Sequence, residues 1–244
     1  MANEPSSRPL DLEQQAYRTM GILIGSIIVT LLLFYVIPFG RTIAYPLVLL
    51  STLVHELGHG LAAVICGHDF IEFKMFTDGS GVAMTSGGKG AFAQAFVSAG
   101  GLVGPALVAA VFFAMGRDER RARFALGAFA LMLIVAVIMV VRNRFGVIFV
   151  SGTAAVCLFI AAKGRPWISH VVLLFIACQL ALAVFSRSDY LFTKYAMTSA
   201  GQMPSDVQKM ADALFLPYWF WGAACAAISV GVLFMGLRAS VRRA

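Results

Sequence analysis

Residues 43–66 read IAYPLVLLSTLVHELGHGLAAVIC, an apolar run broken near its middle by Val54-His55-Glu56-Leu57-Gly58-His59. Two imidazoles and a carboxylate at that depth are costly, since a charge at the centre of a membrane span adds about 2.5–3.5 kcal/mol to insertion. The pattern around them still predicts a helix, so His55 and His59 stand at i and i+4 on one face, a turn apart. That is the H-E-x-x-H spacing, in which two imidazole nitrogens hold a zinc ion and the intervening glutamate is the general base. Gly58 and Gly60 flank His59, and small residues let another helix or a ligand approach closely. Two buried histidines hydrogen-bonded across a bundle are the plainer alternative. It would have to place three demanding residue types, correctly spaced, in the least hospitable part of the chain.

The rest of the chain agrees with a membrane setting. Of 244 residues, 60% are hydrophobic and 13% charged, and the mean hydropathy is +0.85; soluble domains carry about 25% charged residues. The fold class expected is an all-α polytopic membrane protein of six or seven transmembrane helices, with a small β-hairpin after the metal-binding helix. The net charge of +7 reads as span-end anchoring and contact with the lipid bilayer. No basic, aromatic-interleaved surface suggests nucleic acid. Cys66, Cys157, Cys178 and Cys225 lie in or beside apolar runs without a C-x-x-C pair, as small buried hydrophobes do.

In chain order, residues 1–16 form a polar tail, 17–237 a single integral membrane domain, and 238–244 a basic tail. The first apolar run, 17–39, is too long for a signal-peptide core and is a retained span. A short turn at Arg41 makes it an antiparallel partner of the second. Beyond Gly67 the period changes to two: Ile71, Phe73 and Met75 alternate with Glu72 and Lys74, and Val82 and Met84 follow the turn Asp78-Gly79-Ser80-Gly81. This is a hairpin signal. Such a hairpin cannot leave its edge in lipid; either the edge receives an extended substrate or the hairpin is an ordinary surface one. A third span, 91–115, is interrupted by Gly100-Gly101-Leu102-Val103-Gly104-Pro105. Further spans cover 124–141, 145–162, 167–185 and 214–237, with a polar segment at 186–213. Nine of the 19 Lys and Arg fall on the N-terminal side under seven spans and the other ten opposite, so charge alone does not orient the protein.

The sequence resembles the site-2 protease group of intramembrane zinc metallopeptidases, in its bacterial B-like branch. The resemblance is carried by His55-Glu56-Leu57-Gly58-His59 with Gly60-Leu61-Ala62-Ala63, the Asp78-Gly79-Ser80-Gly81-Val82 hairpin, Gly101-Leu102-Val103-Gly104-Pro105, Arg142-Asn143-Arg144-Phe145-Gly146, and Ser205-Asp206 with Pro217. It implies one Zn2+ ion and a membrane-embedded protein substrate. It also implies a bacterial cytoplasmic membrane, a site opening to the cytosol on the hairpin side, and a cytoplasmic N-terminus. The implied reaction is hydrolysis of a peptide bond in or near a membrane segment, with Glu56 as base and His55 and His59 on zinc. One departure matters. The group draws its third ligand from Asn-x-x-Pro-x-x-x-x-Asp-Gly, and here Asn143 is followed by Gly146 and then Ser151-Gly152.

A catalytic zinc needs three protein ligands and one open position, so another acid must reach the site. Asp206 is our choice, ahead of Asp189, with Asp78, water or no third ligand as the remaining options. It follows Pro204-Ser205 and opens a segment able to fold back into the bundle. Asp206 has a plain reading too, because Ser205 and Gln208 make a capping box and an acid suits the first helical turn. Asp78 has a local task in its turn, and Asp189 lies beside Arg187. Asn143, Asp78 and Gly79 are candidates for substrate contact; Asn143 either orients substrate backbone or caps the fourth span. His170 is an interfacial or packed histidine. Two alternatives stand beside the protease. One is a non-catalytic zinc-binding membrane protein that lost turnover. The other, an ion transporter, has almost no ionisable residues in its spans to work with.

Overall fold

The computed structural model describes residues 9–86, 90–186, 191–198 and 201–241. Among these, seven helices are long and apolar enough to cross a membrane, which resolves the expected six or seven. The first, α1 (Pro9–Leu31), runs on through a π-helical turn, Leu32–Val36, to the single-turn α2 (Gly40–Ile43). The metal-motif helix α3 (Tyr45–Ile65) carries Pro46 in its first turn, where a missing N–H has no helical partner to lose. The expected hairpin follows as β1 (Phe70–Met75) and β2 (Gly81–Thr85). Four spans come next: α4 (Ala91–Met115), α5 (Glu119–Met139), α6 (Arg144–Lys163) and α7 (Pro166–Ser186). A second hairpin, β3 (Tyr195–Thr198) and β4 (Gly201–Pro204), leads into α8 (Asp206–Leu214) and the last span, α9 (Tyr218–Val241).

Several boundaries depart from the sequence expectation. Residues 9–16 belong to α1 instead of a tail; residues 1–8 and 242–244 lie outside the described ones, and Arg238 sits in the last turn of α9. The third span is not interrupted, because α4 continues through Pro105. The polar connection at 186–213 holds the second hairpin and α8. Its Ser205 caps α8 as the spacing predicts, accepting from the Gln208 N–H at 3.2 Å.

The first two spans are not antiparallel. Gly58 of α3 faces Gly100 of α4, and Gly104 lies against Val54, so α3 and α4 run oppositely. His170 near the start of α7 bonds the Gly116 carbonyl just past α4, while Ala183 and Val184 near its end line a cavity with Val97 and Pro105. Helix α7 therefore opposes α4. Helix α1 runs along α7 in the same sense: Arg18 lies 3.9 Å from Glu119, Leu23 meets Cys178, and Thr30 accepts from Gln179. So α1 and α3 point the same way, and residues 37–44 double back between them, with Gly40 pressed on the Leu33 carbonyl.

The first hairpin lies lengthwise on α3. The Phe70 ring covers Gly60, Thr52 Oγ1 donates to the Gly79 carbonyl at 2.7 Å, and the Tyr45 hydroxyl donates to Thr77 at 2.7 Å. Gly79 turns the chain with φ of 87°, which suits glycine. Backbone groups at membrane depth must all find partners, and the outer edge of β1 finds them in the α5–α6 link. Phe73 donates to Val140 at 2.8 Å and accepts from Arg142 at 3.1 Å. Phe73 and Met75 are fully buried in the main core, with Leu53, Leu126 and Leu133.

Candidate metal centre

Helical periodicity alone brings His55 and His59 together, and their Nε2 atoms lie 3.1 Å apart with the rings nearly perpendicular. His59 is buried, and its Nδ1 lies 2.8 Å from the Val97 carbonyl. A carbonyl only accepts, so Nδ1 carries the proton and the Nε2 lone pair faces His55. Glycine makes that approach possible. A side chain at Gly101 would overlap the His59 ring, and one at Gly100 would lie 2.5 Å from Ala62 Cβ. The small residues noticed beside His59 thus have counterparts on α4: Gly58 takes Gly100, whereas Gly60 takes the hairpin's Phe70.

The third group is Asp206, whose Oδ2 lies 3.2 Å from both Nε2 atoms. Its placement is built by the second hairpin and α8. Ser205 Oγ donates to the Thr193 carbonyl at 2.5 Å and its N–H to Lys194 at 2.9 Å, fixing where α8 starts. Val207 and Met210 then pack among Ala95, Leu102 and Val103 of α4, with Cys225 of α9. Capping and clustering are compatible, because the cap is Ser205 and the acid is the next residue.

Three donor atoms therefore form a triangle with edges of 3.1, 3.2 and 3.2 Å. In a tetrahedral zinc site with bonds of about 2.0–2.1 Å, ligand atoms lie roughly 3.3–3.4 Å apart. Two imidazoles and a carboxylate are also a donor set that leaves a fourth position open. The residues fit a divalent metal ion.

Glu56, buried on α3, lines the same cavity of about 570 Å³. Gly81 at the start of β2 is its neighbour: a Cβ there would lie 2.8 Å from Glu56 Cγ and from Thr52 Cγ2. All of β2, from Gly81 to Thr85, borders the cavity, as do Ala196 and Met203 of the second hairpin.

The substrate-contact candidates fall elsewhere. The Asn143 side chain neither caps α6 nor lines the cavity. Its Oδ1 accepts from the Met75 N–H at 3.1 Å and its Nδ2 donates to the Met75 carbonyl at 2.5 Å, so it extends the seal on β1. Asp78 Oδ1 accepts from the Ser80 N–H at 2.9 Å and from its hydroxyl at 2.6 Å, the local turn role. Gly79 serves to hold the hairpin on α3. His170 is the packed histidine anticipated, at the far end of the bundle. Asp189 lies outside the described residues. Nothing in the sequence pointed to the Val97 carbonyl, a backbone atom. The sequence offered only a faint cue to Lys209, whose i+3 spacing from Asp206 looks like any surface pair.

Residues 24–236 match the family model described as Peptidase M50B-like. No curated protein and no solved structure matches the chain.

Proposed function

The chain belongs to the Peptidase M50B-like family, and on that premise we propose that it is an intramembrane zinc endopeptidase acting on a membrane segment of another protein. The observation that carries this reading is one cavity walled by His55, His59, Asp206 and Glu56, with the three donor atoms at metal-binding spacing. Bound there, zinc would supply a Lewis acid for the scissile carbonyl and acidify water. His55, His59 and Asp206 would hold it, the Val97 carbonyl fixing the His59 tautomer. Glu56 takes the proton of the attacking water and returns it to the leaving amine. Among the described residues no strand pairs with the outer edge of β2, which borders the cavity while β1 is sealed, and this favours an extended substrate added as a strand.

In this reading the hairpin end of the bundle faces the cytosol in a bacterial cytoplasmic membrane. Through the contacts of α1 the N-terminal end then lies on the other side, the reverse of what the resemblance implies. The alternative, a non-catalytic zinc-binding protein, rested on the missing acid between Asn143 and Gly152; an acid arriving from α8 weakens that ground. The test is the metal content of purified full-length protein beside His55→Ala and His59→Ala. We expect about one zinc per chain, lost in both variants; unchanged zinc in both would remove the metalloenzyme reading.

A further inference from the structure

We propose that Lys209 is a positioning residue that holds Asp206 to one-oxygen coordination, an inference that rests on the metal-centre reading above. Helix α8 sets Lys209 one turn beyond Asp206, and its Nζ lies 3.0 Å from Asp206 Oδ1. The other oxygen, Oδ2, is the one 3.2 Å from the two histidines. The carboxylate is thereby divided, one oxygen to the donor triangle and one to the ammonium. A carboxylate can bind a cation through one oxygen or both. With both, Asp206 would add a second oxygen beside the water in the position a catalytic site keeps open, raising the ligands from four to five. Lys209 occupies Oδ1 and so keeps the count at four. Gln208, its neighbour, is engaged with Asp212 at 2.7 Å and does not compete. Lys209 also borders the cavity, where its charge sits on the far side of the carboxylate from His55 and His59.

Cobalt(II) replacement in the full-length protein reads this directly, because four-coordinate cobalt absorbs visible light several-fold more strongly than five-coordinate cobalt. Wild type and Lys209→Arg, which keeps charge and donor, should give the intense four-coordinate spectrum. Lys209→Met and Lys209→Ser should give the weaker five-coordinate one, with cobalt still bound; the serine variant guards against misfolding from an apolar side chain at the cavity wall. Spectra of Lys209→Met and Lys209→Ser that match wild type would overturn the proposal while leaving the metal centre standing. Failure of wild type itself to take up cobalt, alike in His55→Ala, would overturn both.

Discussion

Gly100→Ala places a methyl group in the α3–α4 crossing at the level of His59. Its carbon would lie 2.5 Å from Ala62 Cβ and 2.6 Å from the Gly58 carbonyl oxygen. Carbon atoms settle at about 3.5–4.0 Å, so the helices must part by roughly 1 Å. His55 and His59 travel with α3. Asp206 stays with α4, because Val207 and Met210 anchor α8 among Leu102 and Val103. The separation of 3.2 Å between each histidine and Asp206 therefore opens by much of that ångström, against a tolerance of about 0.2 Å in metal–ligand distances. His59 also loses register with the Val97 carbonyl, and outer-shell losses alone cost about 10- to 100-fold in affinity. We expect zinc to bind about 10- to 100-fold more weakly, or about 1.4–2.7 kcal/mol, and overpacking to lower stability by about 1–3 kcal/mol. Competition with a chromophoric chelator measures the affinity. Gly152→Ala on α6 is the control, since nothing lies within 4 Å of its added carbon. Equal zinc affinity in the two variants would refute the reasoning.

Glu56→Gln keeps the side chain's shape but cannot accept a proton, so peptide cleavage should fall at least about 100-fold while zinc stays bound; cleavage at the native rate would remove Glu56 from that role. Asp206→Asn leaves the Ser205 cap in place and should weaken zinc binding far more than Asp189→Asn, and the opposite ranking in chelator competition would reassign the third ligand. Asn143→Ala strands both backbone groups of Met75, costing about 1–3 kcal/mol each when buried. Amide exchange at Met75 should quicken, and an unchanged rate would show that Asn143 does not seal β1. A tag ahead of residue 1 and a cysteine at Asp69, just past the end of α3, should label from opposite sides of the membrane; labelling from one side would restore the antiparallel pairing of the first two spans.

What could be read from the chain was local. The apolar runs placed six or seven spans to within a few residues, the Asp78-Gly79 turn fixed the first hairpin, and the i, i+4 pair fixed two donors of the centre, because each depends on residues within one or two turns. Ser205 likewise announced the start of α8. The second hairpin was missed because Tyr195–Thr198 and Gly201–Pro204 are too short to show a period against a polar background. Asn143 was misread for a different reason: an asparagine before a helix carries a strong local meaning, and its actual partner lies on β1.

The sequence by itself determined that this is a membrane protein with a paired-histidine helix and a glutamate between the pair. Only the tertiary structure decided which acid joins them, which backbone carbonyl orients His59, and which way α1 runs beside α7. In water, a polar face tells a helix where its neighbours are not. In a bilayer, lipid-facing and protein-facing positions are both apolar, so hydrophobic pattern says little about partners, and the choice falls to close packing of small residues such as Gly58 and Gly100.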